Sequence, residues 1–177
     1  MNAAAFNAFI SEAVREVLGS SAWRLDGTTL ISQAGETQVV VRRVELRYRP
    51  PARHLLLLRH TFLHDGGFDD TPAAVPRETY SYPVAIRPSA VADLLRDDWR
   101  YTSTNGTVVP DVFDYRSETA ISARLYAMRL ATLLAEYTDQ LIQRFTPRRI
   151  VDELQKLEEP NWIEQRWLDD YRRHAGF

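Results

Sequence analysis

Histidine and carboxylate side chains are concentrated in one short stretch of the sequence, "RHLLLLRHTFLHDGGFDD". It contains three of the four histidines of the chain, followed closely by three aspartates. These residues are His54, His60, His64, Asp65, Asp69 and Asp70. Histidine and carboxylate are the side chains that most often ligate metals or transfer protons near neutral pH. The first question is therefore whether the backbone can bring them together.

The backbone conformation of this stretch decides whether its histidines can share a metal. On a β-strand, His54 and His60 are separated by roughly 20 Å, and His60 and His64 by roughly 13 Å. Two ligands of one zinc ion are only roughly 3 to 4 Å apart, so a regular strand excludes a shared metal. On a helix, His60 and His64 would lie one turn apart, with Asp65 or Asp69 able to add an oxygen ligand. A metal-dependent hydrolase using His60 and His64 is thus an alternative that requires a helix.

The aspartates of this stretch are also candidates for binding a partner. Gly66 and Gly67 interrupt the apolar pattern, and we expect the chain to continue as a long surface loop. Asp65, Asp69 and Asp70 make that loop acidic. Carboxylates can mimic phosphate, so they would suit the basic surface of a nucleic-acid-cleaving toxin. The sequence therefore predicts these three residues as partner-binding residues.

Basic residues are concentrated in the segment from Arg42 to Arg59, where Glu45 is the one acidic residue. The arginines are Arg42, Arg43, Arg47, Arg49, Arg53 and Arg59. A two-stranded ribbon with this charge can lie on phosphates while Tyr48 stacks on a base. The alternative is a solvated sheet face that pairs with acidic helices, and the net charge of -2 favours it. Arg43, Arg47 and Tyr48 are the partner-binding candidates of this hairpin.

The apolar spacing predicts helices at both ends of the chain. Apolar residues recur at steps of three and four in residues 3–18, and Gly19 is a natural stop. The same spacing occurs in residues 117–145 and in residues 162–171. We expect three C-terminal helices. The first is a long helix within residues 117–145, the second begins at Thr146-Pro147, and the third begins at the capping-box pair Asn161 and Glu164.

Strand-like segments occupy the middle of the chain. The expected turns lie at Asp26-Gly27, Ala34-Gly35 and Asn105-Gly106. The expected longer strands lie at residues 37–49, 53–64 and 79–86. Hairpin connections with helices gathered at the ends predict an α+β domain in which an antiparallel sheet packs against N-terminal and C-terminal helices. We predict one domain over residues 1–177, with residues 146–177 as a C-terminal helical extension.

Several kinds of chemistry have no motif in this sequence. The chain has no cysteine, which excludes disulfides, thiolate catalysis and iron–sulfur ligation. It also lacks a Walker loop, a dinucleotide fingerprint, a nucleophile elbow and an H-E-x-x-H motif. We therefore expect no cofactor and lean away from an enzyme, although distant residues could still meet. Without a signal peptide or a spanning apolar run, we expect a cytoplasmic protein that is not embedded in a membrane.

Two tryptophans of the last predicted helix, Trp162 and Trp167, allow two interpretations. Tryptophan is enriched among the residues that dominate binding interfaces, so either could anchor a partner. Alternatively, both could seal the helix onto the core. The sequence leaves both open.

The order of elements resembles that of a group of small uncharacterised bacterial domains. The segments that carry the resemblance are "VVVRRVELRY", "HLLLLRHTFL", "DDW", "LLAEYTDQLIQRF" and "TPRRIVDEL". The match covers most of residues 3–157, its motifs are degenerate and structural, and the helix after Asn161 departs from the pattern. Some of these domains look like immunity proteins, which bind and neutralise a toxin. The resemblance implies a non-catalytic protein-binding module of the immunity or antitoxin type, with a protein as its partner.

Overall fold

The computed structural model describes residues 1–19, 23–26, 28–45, 52–63, 84–95 and 113–176. Within them the strands form one antiparallel sheet in which each strand pairs with the next along the chain. The strands are β1 (Arg24–Asp26), β2 (Thr29–Ala34), β3 (Thr37–Glu45), β4 (Ala52–His60) and β5 (Val84–Ile86). The sheet is therefore a meander, as the hairpin signals predicted.

Helices precede and follow the sheet in the chain. They are α1 (Ala3–Leu18), the short α2 (Val91–Leu94) after a single 3₁₀ turn (Pro88–Ala90), α3 (Ala120–Arg144), α4 (Pro147–Leu154) and α5 (Trp162–Ala175). The predicted α+β class, with an antiparallel sheet packed against N-terminal and C-terminal helices, is confirmed. None of the helices in the described part of the chain is both long and apolar enough to span a membrane.

The helix and strand ends follow from local residue chemistry. Asn2 caps α1 by accepting a hydrogen bond from the Ala5 amide at 2.9 Å, and Gly19 ends the helix with a φ of 69°. Thr119 caps α3 in the same way. Gly35 is the first residue of the two-residue loop that connects β2 and β3. Its φ of 57° is a backbone conformation that glycine adopts readily.

The main core lies between one face of the sheet and helices α1 and α3. Leu30, Val41, Leu56 and Ile86 are paired across four adjacent strands, and all four side chains are buried in this core. Side chains alternate between the two faces of a strand, so the same face carries His54 and His60 on β4. The two histidines therefore lie in the layer between the sheet and the helices.

Strand β3 carries buried valines on both faces, and Arg43 lies on the helix-covered face rather than on a solvated one. Val39 and Val41 are buried in the main core, whereas Val40 is buried on the opposite face with Ile31 and Leu57. Arg43 shares the face of Val39 and Val41 and so lies on the helix-covered side. Alternation could not identify the covered face because the centre of this strand is apolar on both sides.

The helical alternative for the histidine stretch is wrong, because residues 52–60 form strand β4 and residues 61–62 form a turn. His60 is therefore the last residue of a strand and not part of a helix. Several predicted features lie outside the described residues: His64, Asp65, Asp69, Asp70, Arg47, Tyr48 and the hairpin tip at Asn105-Gly106. The interpretations that depend on those residues stay predictions.

Candidate functional site

His54 is an interior residue that holds the sheet to α3. Its Nδ1 atom is 2.8 Å from the hydroxyl oxygen of Tyr126, and both side chains are buried. Burial lowers the pKa of His54 to about 3, and the neighbouring charge of Arg43 acts in the same direction. His54 is therefore neutral at physiological pH and serves as a buried hydrogen-bonding group.

Arg43, one of the predicted partner-binding residues, makes contacts inside the molecule. Its Nη1 donates to Asn7 Oδ1 of α1 at 2.6 Å. The guanidinium carbon lies 5.1 Å from the ring centroid of Tyr115, within the range of a cation–π contact. Arg43 thus ties β3 to α1 and to the segment before α3.

Arg59, which belongs to the same basic group, is also internal. It is only 2% exposed, and its Nη2 donates to the carbonyl oxygen of Leu63 at 2.8 Å. An arginine with this burial cannot reach the phosphates of a nucleic acid. Two of the six arginines thus serve the fold, while the nucleic-acid hypothesis for the rest of the hairpin stays a prediction.

His60 links three separate parts of the chain through its two ring nitrogens. The indole nitrogen of Trp167 lies 3.0 Å from Nδ1, and the carbonyl oxygen of Phe145 lies 2.7 Å from Nε2. Because an indole N–H only donates and a carbonyl only accepts, Nδ1 must be the acceptor and Nε2 must carry the proton. The neutral imidazole satisfies both bonds, and neither nitrogen is available to a metal.

The environment of His60 keeps the ring neutral. Burial lowers its pKa to about 4, even though the hydrogen bond to Phe145 and the charge of Glu36 act in the opposite direction. Protonation of Nδ1 would also place a proton where Trp167 already donates one. His60 is therefore a structural junction between β4, the end of α3, and α5.

A second, smaller core lies around this junction. Phe62, Leu63, Trp167 and Leu168 are its buried members, with partly buried residues of α4 packed against it. The Trp167 ring stacks on Tyr171 at 5.4 Å between centroids and meets Phe62 edge-on at 5.6 Å. These contacts fix α5 against the end of β4.

The two tryptophans of α5 have opposite environments. Trp167 is 2% exposed, whereas Trp162 at the first position of α5 is 68% exposed. Leu157, in the connection between α4 and α5, is 45% exposed. We call the region formed by exposed Leu157 and Trp162 the α4–α5 corner. One tryptophan therefore seals the core, as one interpretation expected, and the other is presented at the surface.

The backbone beneath Trp162 is held by the predicted capping box. The Asn161 amide donates to Glu164 Oε2 at 2.7 Å, and the Glu164 amide donates to Asn161 Oδ1 at 3.0 Å. These bonds satisfy two amides that the start of a helix would leave unpaired. Trp162 is thus displayed from a fixed helix start.

Acidic side chains outnumber basic ones in the segment that forms the α4–α5 corner. Five carboxylates and one lysine occur between residues 152 and 164, and Lys156 already bonds Glu153 at 2.8 Å. The carboxylates are Asp152, Glu153, Glu158, Glu159 and Glu164. All except the half-buried Glu164 are exposed. The corner is therefore an acidic surface with an exposed aromatic residue.

The fold and this site together define an α+β meander domain whose described sheet histidines are structural and whose C-terminal corner displays a tryptophan. Comparison with protein-family models, with curated proteins and with solved structures found no match. Within the described ranges, no cluster of three or more histidine and acidic side chains is arranged to hold a metal. Function is therefore inferred from the geometry of the described residues.

Proposed function

We propose that this chain is a non-catalytic protein-binding module that recognises a partner protein through the α4–α5 corner. The observation that carries the proposal is the 68% exposure of Trp162 at the capped start of α5. Tryptophan buries a large area on binding and is enriched among the residues that dominate interface energies. A side chain held on a fixed helix start also loses less freedom when it binds.

The charge of the corner supports a basic partner. Exposed carboxylates around Trp162 and Leu157 would meet a positively charged surface and steer its approach. A nucleic-acid-cleaving toxin has such a surface, because it must attract phosphates. The corner thus fits the immunity or antitoxin type of protein that the resemblance implies. The predicted partner-binding residues Asp65, Asp69 and Asp70 would also favour a basic partner.

The interior positions of His54 and His60 support a function without catalysis. Both are neutral groups that bond Tyr126, Trp167 and Phe145, so neither is placed to exchange protons with a bound substrate. The two histidines of β4 thus join the sheet to the helices. Trp162, in contrast, is largely exposed at the surface.

Replacing Trp162 with alanine is expected to reduce recovery of the partner at least tenfold. The loss of one central aromatic contact corresponds to about 2 kcal/mol or more of binding free energy. The measurement is quantitative co-purification of the tagged chain from its native cells, followed by titration with the purified partner at two salt concentrations. Affinity should fall as salt rises, because the carboxylates contribute.

Ile121→Ala is the matched control for this experiment. Ile121 is 82% exposed, and it lies near the start of α3, about 36 Å along the helix axis from Phe145. Removal of this exposed apolar side chain should leave partner recovery unchanged. Equal binding by folded Trp162→Ala, or an equal loss with Ile121→Ala, would exclude the corner as the binding surface.

A further inference from the structure

A cavity lies between the end of β4, the end of α3 and helices α4 and α5. Its volume is about 180 Å³, and its apolar walls come from Leu58, Val84, Phe145, Ile150 and Leu154. An apolar cavity of about 150 Å³ is large enough to bind benzene in an engineered protein. The space therefore fits one six-membered ring with a short substituent.

This space, which is partly open to solvent, is larger than the voids usually found in protein interiors. Interiors are close-packed, with few voids larger than a water molecule, and residual cavity volume is destabilising. The chain could reduce the space simply, since Leu154 and Ile150 are both smaller than phenylalanine. The aliphatic side chains at positions 150 and 154 thus leave room for a small molecule.

The polar groups around the cavity restrict the chemistry of that occupant. His60 and Trp167 also line it, but their nitrogens are already bonded to each other and to the carbonyl of Phe145. At its edge, Glu164 accepts from the Asn161 amide through Oε2. Its second carboxylate oxygen has no hydrogen bond within the described part of the chain. Among the described lining residues, the cavity therefore offers apolar walls, the Asn161 side chain and one carboxylate oxygen of Glu164 as a strong acceptor.

We propose that this cavity binds a small, uncharged, largely apolar molecule, one ring in size, with a hydroxyl group that donates to Glu164. An anionic ligand would be repelled by the Glu164 carboxylate. A cationic ligand would lose hydration inside the apolar walls. A neutral ring with one donor satisfies both constraints. Trp162 does not line the cavity, so Trp162→Ala tests the proposed protein partner without altering the cavity wall, although Glu164 belongs to both sites.

Titration with three ring compounds tests the proposal on the full chain. The probes are benzyl alcohol, toluene and benzoate, and the readout is the NMR signal of the Trp167 indole N–H, which lies in the cavity wall. We expect saturable shifts, with benzyl alcohol binding three- to tenfold tighter than toluene and benzoate at least tenfold weaker than toluene. No saturable shift, or benzoate binding as well as benzyl alcohol, would overturn the proposal.

Variants that fill the cavity test where the ligand binds, and a variant of Glu164 tests whether its carboxylate accepts the hydroxyl. Leu154→Phe should fill the space and weaken benzyl alcohol binding at least tenfold, with Ile150→Phe as the second filling variant if the first does not fold. Glu164→Gln keeps a residue that can complete the capping box, and should reduce the preference for benzyl alcohol over toluene to less than twofold.

Leu125→Phe is the control for the filling variants, because Leu125 is exposed on α3 and does not line the cavity. It should bind benzyl alcohol as the unmodified chain does. Unchanged binding by both filling variants would place the ligand elsewhere and overturn the proposal.

Discussion

Replacing Trp167 with alanine is expected to detach α5 from the sheet while the α1–α3 core stays folded. The buried indole packs against Phe62 and Tyr171 and donates a hydrogen bond to His60. Truncation of a buried tryptophan to alanine costs about 3 to 5 kcal/mol. It also leaves Nδ1 of His60 without its donor, which adds a desolvation penalty.

The separation of the two cores is the reason to expect local rather than global unfolding. Trp167 belongs to the smaller core, whereas α1 and α3 pack in the main core. Parts of a protein with fewer shared contacts can open independently. Hydrogen exchange of individual amides checks this: protection should fall in α5 by far more than in α3. An equal loss in both helices would show that the domain unfolds as one unit.

Trp162→Ala provides the matched comparison. It removes the same side chain five residues earlier in the same helix, but from a site that is 68% exposed. Its effect on the free energy of unfolding should stay within about 0.5 kcal/mol, as for most surface substitutions. A loss close to that of Trp167→Ala would contradict the different environments assigned to the two tryptophans.

The free energy of unfolding is expected to fall by several kcal/mol as the pH drops from about 6.5 to about 4. Histidine in an unfolded chain has a pKa near 6.5, whereas burial lowers the pKa of His60 to about 4 and that of His54 to about 3. The unfolded state therefore binds protons that the native state does not. The contribution of the two histidines to the free energy of unfolding is therefore complete above about pH 6.5 and is lost as the pH falls toward their native pKa values.

The pH dependence that the histidines give to the free energy of unfolding can be separated from that of Asp114 and Glu153. Each histidine contributes up to about 1.4 kcal/mol per pH unit, so the two together give up to about 2.7 between roughly pH 5.5 and 4.5. Hydrogen bonds from Ser117 and Lys156 lower the pKa values of Asp114 and Glu153. Their contributions are therefore lost only at lower pH, below about 4.5.

Denaturant titrations at a series of pH values measure this slope. His60→Gln, which keeps a neutral donor and acceptor, should remove about half of the slope, and His54→Gln should remove the other half. A flat profile between pH 6.5 and 4.5, or an unchanged slope in both variants, would show that the histidines are not neutral in the native state.

Local sequence patterns predicted most of the fold. Helix α1 begins and ends where the apolar spacing and Gly19 indicated, and the capping box at Asn161 and Glu164 is formed. The turn at Gly35 connects two paired strands as expected. These features depend on residues close together in the chain, so a pattern of a few residues is sufficient to specify them.

The roles of the histidines depended on distant residues and could not be predicted. Tyr126 is 72 residues from His54, and Trp167 is 107 residues from His60. No local spacing encodes such pairings. The sequence did establish that a strand cannot bring His54 and His60 to one metal, and the observed strand makes that argument decisive for this pair.

The sequence left the roles of Trp162 and Trp167 open, although helix geometry separates the directions of the two side chains. Residues five apart on a helix differ by about 140° in direction, because each residue turns the helix by about 100°. The two side chains therefore point to different sides of α5. The side of α5 that faces the core is determined by Phe62, His60 and the residues of α4 that form the smaller core. Phe62 and His60 are distant from α5 in the sequence, so the sequence did not indicate which tryptophan is buried.

The structural role of His60 is tested most directly by the proton positions on its ring. A long-range ¹H–¹⁵N NMR spectrum distinguishes Nδ1–H, Nε2–H and the imidazolium. We expect a single neutral form with the proton on Nε2 and Nδ1 accepting from Trp167, unchanged from pH 7 to pH 5. An imidazolium that forms with a midpoint near pH 6.5, or a proton on Nδ1, would contradict the assignment of His60 as a neutral interior junction.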